Sequence, residues 1–377
     1  MAETLAIEPY NRIEISQSAL NANVDLFTDL GGKPVIPILR ANAYGHGIEQ
    51  VATALDGRTD DEIPYVAVNS YVEACRVQTV SNRRVLILGD IRPDDLRRIP
   101  YEGLAFCART PSTIQALGES GRPADLHLEM DVGLNRHGVT LDQIPETVRL
   151  IRSFSNLNLV GVLGHVTKAA DESPGFLNRQ VSMFDAGVEA ARAAGAEPQY
   201  IHIAKTAAVL RANSQYANTT RVGEGLYGLN PFPADHRLHR ALRLLRPVME
   251  YISTIVETRE LDNGDHVGYD YTFTAPHSMR IGVLPAGHYD GVDPALGNGG
   301  VVKLKNDHVF AGIVGRICVN DTMIDITDID VDEGEEVIVY SSLPSDPNSF
   351  ESMMNSSRHV GAPFIAPNPN LKWILVP

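Results

Sequence analysis

Basic, hydroxyl and histidine side chains lie at the ends of several short apolar runs of this sequence or just after them. They are Arg40, Tyr44, Arg136, His165, His202, Lys205, Thr206 and Arg221. Guanidinium and ammonium groups bind carboxylates and phosphates, and hydroxyl groups with backbone amides can complete a phosphate cradle. The segment Gly223-Glu224-Gly225 would supply such amides beside Thr206 and Tyr44. If these groups converge, the sequence predicts a cationic pocket for a ligand that carries phosphate or carboxylate.

The apolar runs in front of these residues are β-branched and alternate with helical patterns such as Ile48–Leu55 and Leu177–Ala193. There are eight runs: Val35–Ala41, Tyr65–Asn69, Arg84–Gly89, Gly103–Ala108, Asp125–Asp131, Leu159–His165, Tyr200–Ala204 and Thr220–Gly225. Eight strands that alternate with helices favour an α/β fold, a (β/α)8 TIM barrel. In such a barrel the carboxyl ends of the strands meet at one mouth, where the side chains above would gather.

Beyond residue 245 the pattern changes to short apolar alternations with turn signals such as Asp262-Asn263-Gly264 and Asn298-Gly299-Gly300. This texture predicts a smaller, mainly-β C-terminal domain. We therefore expect a barrel over 12–245 and a β-rich domain over 246–377 that includes 1–11. The alternating segment Arg12–Ser16 is expected to pair with the β-rich domain.

Composition narrows the functional classes. The formal net charge of −15 disfavours nucleic acid as a partner, because it repels a phosphate backbone. Cys75, Cys107 and Cys318 are too few and too widely spaced for a disulfide framework or a metal motif, so we expect free thiols and no metal. The amino terminus has no basic start followed by an apolar run, and no span of eighteen apolar residues occurs. We expect a cytoplasmic protein without a membrane partner.

Several motifs together resemble the alanine racemases, which are fold-type III pyridoxal-phosphate enzymes that pair a barrel with a β domain. The resemblance covers nearly the whole chain. It is carried by Ala41-Asn42-Ala43-Tyr44-Gly45-His46-Gly47, Asp131-Val132-Gly133-Leu134-Asn135-Arg136-His137-Gly138, His165, His202 with Thr206-Ala207-Ala208, Arg221-Val222-Gly223, Tyr269, Asp290-Gly291 and Gly315-Arg316-Ile317-Cys318.

The resemblance implies roles for residues at the barrel mouth. Arg221 would contact the pyridine nitrogen with support from His202, and Arg136 would contact the cofactor's phenolic oxygen or the substrate. The phosphate would be held by Tyr44, Thr206 and the backbone of Gly223 and Glu224.

The resemblance also implies a head-to-tail homodimer with shared active sites. Tyr269 would act as the acid and base on one face of the substrate, delivered by the neighbouring subunit, and His165 would assist it.

Departures from the family pattern are as informative as the matches. The family has a lysine where this chain has Arg40, and that lysine forms the Schiff base and acts as the second acid and base. A guanidinium stays protonated, so it is neither a nucleophile toward an aldehyde nor a base at neutral pH.

Other positions depart as well. His288 replaces a second active-site tyrosine, and Val319 with Asn320 replaces a Met-Asp pair. Glu129 stands where many members carry a carbamylated lysine, so an anion is expected beside Arg136. The tail from Leu343 lacks a clear counterpart of the family's phosphate-binding tyrosine.

Three functions remain open. The first is a repurposed enzyme that acts on a small amino acid or related anionic metabolite, with proton transfer by Tyr269 and His165 and without the usual lysine Schiff base. Arg40 and His288 would then replace the lost groups. The second is a pyridoxal-phosphate-dependent racemase that uses Lys205, because Lys168 lies further into its loop. The third is a non-catalytic member that binds a metabolite. Pyridoxal phosphate is left open, and no other cofactor is implied.

Overall fold

The computed structural model describes residues 8–171, 173–352, 368 and 370–377. The chain forms two compact units. We call residues 20–44 and 51–245 the barrel unit, and residues 1–19, 45–50 and 246–377 the β unit. Much of the tail singled out in the sequence, together with residues 1–7, lies outside the described residues.

The barrel unit follows strand β1 (Arg12–Ser16) and contains eight parallel strands. They are β2 Val35–Pro37, β3 Val66–Val68, β4 Val85–Ile87, β5 Leu104–Ala108, β6 Ala124–Met130, β7 Leu157–Gly164, β8 Tyr200–His202 and β9 Thr220–Val222. Strands β3 to β8 pair in sequence order, and β2 pairs with β9. A bridge from Ile38 to Ala67 and a 3.1 Å hydrogen bond from Arg221 N to Ala204 O join the two groups. The predicted (β/α)8 barrel is confirmed.

Helices connect the barrel strands. They are α1 Gln17–Gly31, α2 Arg40–Tyr44, α3 Ile48–Leu55, α4 Tyr71–Gln78, α5 Pro93–Leu96, α6 Pro111–Glu119, α7 Ile144–Arg152 and α8 Gly175–Ala193. The predicted helices over 48–55 and 177–193 are therefore confirmed. The first barrel strand was predicted to run to Ala41. This prediction is wrong, because β2 ends at Pro37 and α2 is a turn of left-handed helix.

The β unit is built on a nine-stranded sheet with the order β11-β14-β17-β16-β15-β18-β10-β1-β19. After β1 its strands are β10 Met249–Thr254, β11 Glu257–Leu261, β12 His266–Val267, β13 Phe273–Thr274, β14 Met279–Leu284, β15 Val301–Leu304, β16 Phe310–Val314, β17 Thr322–Asp325, β18 Glu336–Tyr340 and β19 Lys372–Val376. The short strands β12 and β13 pair separately.

Strand β1 lies between β10 and β19 in this sheet and pairs with both. It runs antiparallel to β10 and parallel to β19, so that Ile13 lies opposite both Tyr251 and Trp373. Ile13 and Ile15 are fully buried while their neighbours are partly exposed, which is the alternation visible in the sequence. The predicted pairing of residues 12–16 with the β-rich region is confirmed. In the described ranges, no helix is both long and apolar enough to cross a bilayer.

Candidate active site

A pocket of about 550 Å³ opens among the carboxyl ends of the barrel strands. Its size is typical of a small-molecule site. Ten of the residues proposed from the sequence line it: Arg40, Tyr44, Glu129, Arg136, His165, Lys205, Thr206, Arg221, Gly223 and Glu224. The structure therefore brings these side chains together, and their individual roles remain predictions.

Arg221 is fixed at the base of the pocket by a buried hydrogen-bond chain. Its Nη1 donates to Nδ1 of His202 at 2.7 Å, and its Nη2 donates to the Gly164 carbonyl at 2.5 Å. Because a guanidinium only donates, Nδ1 of His202 must accept, which leaves Nε2 to donate to Nδ1 of His127 at 2.9 Å. Burial lowers the pKa of His202 well below its ordinary value and that of His127 to about 3. Both rings are therefore neutral at physiological pH.

His165 lies near several positive charges of the pocket. Burial lowers its pKa to about 3, and the charges of four cations add to the shift. The cations are Arg221, Lys205, Arg136 and Arg40. An anion bound in this pocket would offset those charges and raise the pKa of His165.

The left-handed turn α2 places Arg40 and Tyr44 at the mouth. Ala41, Asn42, Ala43 and Tyr44 all have φ between 53° and 56°. This conformation costs about 1–2 kcal/mol for each residue with a side chain, so it needs support from neighbouring groups.

Helix α4 supplies that support through two side chains. Glu73 accepts hydrogen bonds from the amide of Ala41 at 2.7 Å and from the amide of Asn69 at 2.7 Å. Arg76 donates to Oδ1 of Asn42 at 2.8 Å. Helix α4 therefore positions the left-handed turn and the two pocket residues at its ends.

Tyr44, Thr206 and Gly223 form one wall of the pocket. A Cβ atom on Gly223 would lie 2.7 Å from the Tyr44 hydroxyl, so a side chain there would require Tyr44 to shift. The Thr206 hydroxyl accepts from the Gly225 amide at 3.3 Å. The Arg40 guanidinium lies 5.7 Å from the centre of the Tyr44 ring.

Glu129 differs from its expected arrangement. It was expected as an anion beside Arg136, but its carboxylate pairs with Nε of Arg109. Arg109 also binds Asp90 at 2.9 Å and the Leu88 carbonyl. Arg109 reaches Glu129 because β5 and β6 are adjacent strands. Arg136 has no ion pair with any residue of the described ranges and is exposed.

Three proposed site residues lie in the β unit. Tyr269 is 65% exposed and Val319 is 49% exposed. His288 is also exposed, and the amides of His288 and Tyr289 donate to the carbonyls of Cys318 and Val319 at 3.0 Å each. His288 and Val319 are therefore neighbours on one surface of the β unit.

Sequence reasoning missed Arg109 and Glu73. Arg109 directly follows β5, the fourth barrel strand, so the carboxyl-end rule that selected Arg136 could have found it. Glu73 belongs to a Ser70-x-x-Glu73 capping box, a recognisable helix start. Glu73 also accepts a hydrogen bond from the amide of Ala41, and no sequence pattern indicates that bond.

Comparison with known proteins places this pocket in context. A family profile described as "Alanine racemase, N-terminal domain" matches residues 15–231, and one described as "Alanine racemase, C-terminal domain" matches residues 248–361. The chain belongs to the alanine racemase family.

Individual relatives agree with the family assignment. The chain is 29% identical over 356 residues to an alanine racemase of Staphylococcus saprophyticus, covering 92% of this chain and 90% of that one. It is 29% identical over 336 residues to an alanine racemase of Geobacter sulfurreducens, covering 86% and 85%.

Solved structures of two racemases share the fold. The alanine racemase of Streptomyces coelicolor A3(2) superposes with a TM-score of 0.86 at 20% identity, covering 97% of this chain and 98% of that one. The histidine racemase of Leuconostoc mesenteroides superposes with a TM-score of 0.83 at 22% identity, covering 99% of each chain. The scaffold is therefore that of an amino-acid racemase.

The pocket fits pyridoxal phosphate, the cofactor implied by the family resemblance, only in part. Arg221 and the wall of Tyr44, Thr206 and Gly223 suit a pyridine nitrogen and a phosphate. The side chain at residue 40 is a guanidinium, which forms no Schiff base with an aldehyde. A covalent bond to the cofactor at residue 40 does not fit.

Proposed function

We propose that this member of the alanine racemase family acts on a small amino acid or a related anionic metabolite without a Schiff base between a lysine and pyridoxal phosphate. The observation that carries the proposal is the pocket's surplus of positive charge. Arg40, Arg136 and Lys205 line it with no ion pair to any described residue. A small carboxylate would supply the missing counter-charge.

Proton transfer is assigned to His165 and Tyr269. Neither ring nitrogen of His165 has a hydrogen-bond partner among the described residues, so both are available to a ligand. Binding of a carboxylate would raise the pKa of His165 toward the range in which a histidine exchanges protons. A proton removed from one face of the α-carbon and one returned to the other face would invert the configuration.

The proposal includes a homodimer with shared active sites and a cytoplasmic location. Tyr269, Tyr271 and Val319 are exposed apolar residues of the β unit, which suits a homodimer in which Tyr269 and His288 serve the barrel of a second copy. The cysteines Cys75, Cys107 and Cys318 are free thiols, which suits the reducing cytoplasm.

A second candidate function is a pyridoxal-phosphate-dependent racemase that uses Lys205. The observation in its favour is that Lys205 lines the pocket directly beside Thr206 in the wall that suits the phosphate. Lys168 also lines the pocket, but its exposed side chain pairs with Asp171 at 3.5 Å. Lys205 is therefore the better primary amine.

The test is exchange of the α-proton in deuterated water. We expect the purified wild-type protein to exchange the α-proton of at least one small amino acid, measured by proton NMR and chiral chromatography. Tyr269→Phe and His165→Asn should each slow the exchange by about a hundredfold or more.

Two results would count against the proposal. Ligand binding with no exchange for any amino acid would make the chain a non-catalytic member of the family. Exchange that requires added pyridoxal phosphate, with borohydride fixing the cofactor on Lys205, would establish the second candidate.

A further inference from the structure

The acidic residues that line the pocket are not equivalent. Asp90 and Glu129 both pair with Arg109, and Asp171 pairs with Lys168. Glu224 lines the same pocket but has neither an ion pair nor a hydrogen bond to its carboxylate from any described residue. Glu224 is thus the one pocket acid in the described ranges whose oxygens are unoccupied.

A half-buried carboxylate without a direct partner is unfavourable, because it has lost part of its hydration without gaining a hydrogen bond. Burial raises the pKa of Glu224, whereas the nearby charges of Lys205 and Arg40 lower it. Neither Lys205 nor Arg40 forms an ion pair with Glu224. Their charges therefore favour the ionised carboxylate without a direct contact to its oxygens. The remaining space beside Glu224 suits a positively charged hydrogen-bond donor.

We propose that Glu224 binds the ammonium group of a zwitterionic amino acid whose carboxylate is bound by the Arg40 guanidinium. An α-amino acid carries its two charged groups on one carbon, so its site needs an anionic and a cationic side chain near each other. Glu224 and Arg40 supply these charges, since both line the pocket and the charge of Arg40 acts on Glu224. This assignment rests on the proposed function and names the substrate class of the same pocket.

The assignment also predicts that Glu224 weakens the binding of phosphate dianions. A dianion held by Tyr44, Thr206 and the Gly223 backbone would lie beside the chain neighbour Glu224 and meet a like charge. Replacing that carboxylate by an amide should weaken zwitterion binding and strengthen phosphate binding. A residue with only a packing role would not shift the two affinities in opposite directions.

The experiment is isothermal titration of full-length wild type, Glu224→Gln and Asp171→Asn. The probes are alanine, serine, histidine, propionate and inorganic phosphate. We expect wild type to bind at least one amino acid about tenfold or more tighter than propionate, the size of a charged hydrogen bond. Glu224→Gln should lose that ratio and bind phosphate about tenfold tighter. Asp171→Asn should keep the ratio of amino acid to propionate affinity, because its carboxylate is already paired with Lys168 and is not available to an ammonium group.

Equal amino-acid affinity in wild type and Glu224→Gln, or unchanged phosphate affinity, would overturn the assignment, as would the absence of amino-acid binding to wild type. The proposed function can fail independently of this assignment. If wild type exchanges α-protons while Glu224→Gln binds amino acids normally, the proposed function is supported and the proposed role of Glu224 is contradicted. Selective, Glu224-dependent binding without exchange would support the role of Glu224 and contradict the proposed function.

Discussion

At residue 40 a guanidinium lies against the Tyr44 ring, and its charge contributes to the low pKa of His165. The difference between arginine and lysine here is chemical. Both are positively charged in water, but only lysine can lose its proton to become a nucleophile.

Arg40→Lys tests whether the pocket still accepts the cofactor. Because the variant keeps Arg221 and the wall of Tyr44, Thr206 and Gly223, which would hold the ring nitrogen and the phosphate, we expect it to bind pyridoxal phosphate covalently at residue 40. Borohydride reduction and peptide mass analysis should locate one pyridoxyl group there, with a new absorbance band in the intact protein.

Arg40→Gln is the matched control, because it removes the guanidinium without adding an amine and should remain unlabelled. Failure of Arg40→Lys to acquire the cofactor would mean that the pocket has been reshaped for another ligand.

His127 and His202 make stability depend on pH. Both are fully buried, and their folded-state pKa values lie below the 6.5 of an exposed histidine. As the pH falls below 6.5, these two histidines therefore bind protons in the unfolded chain but stay neutral in the folded chain. The free energy of unfolding should fall from about pH 7 to about pH 5, by up to about 1.4 kcal/mol per pH unit for each histidine once the pH is below its unfolded pKa.

Urea unfolding at several pH values measures this dependence. The His127→Gln variant carries one titrating histidine fewer, so its stability should change less steeply with pH. An unchanged slope in that variant would contradict the low pKa of His127.

At the scale of elements, the pocket depends on the contact between helix α4 and the left-handed turn α2. Glu73 accepts from Ala41, Asn69 and Ser70 through its two carboxylate oxygens. Glu73 therefore holds the end of one barrel strand to the turn that follows another.

Glu73→Ala should lower the free energy of unfolding by about 1–3 kcal/mol, because three amides lose a charged acceptor. Urea unfolding measures the loss. Glu146→Ala is the matched control, since Glu146 is also an acid in the first turn of a helix, α7, and should change stability by only about 0.5 kcal/mol. Equal losses of unfolding free energy in the two variants would show that helix-dipole effects alone explain the contribution of Glu73 to stability.

At the scale of the whole molecule, the proposed dimer predicts complementation. Tyr269→Phe and His165→Asn should each be inactive in α-proton exchange, since every site lacks one group. After mixing and subunit exchange, half of the dimers would be mixed and each would contain one intact site, so about a quarter of the wild-type rate should return.

Sedimentation of the same samples reports the assembly directly. If mixing restores no activity although the subunits exchange, each site is built within one chain. A monomer in solution would exclude the shared site altogether.

The barrel and its mouth could be predicted from the sequence because they rest on local patterns. Apolar runs of strand length alternate with helical ones, and parallel barrel strands carry their reactive groups at one end. Arg136, His165, Lys205 and Arg221 were therefore selected from their positions in or just after strands, and they line the pocket.

Charge partners were decided only by the tertiary structure. Glu129 pairs with Arg109 from the neighbouring strand, while Glu224 has no partner in the described ranges. The left-handed turn after β2 likewise depends on Glu73, more than thirty residues away in the sequence. Ion pairs and strained turns are set by distances between side chains on different elements, and periodicity along one chain contains no such distances.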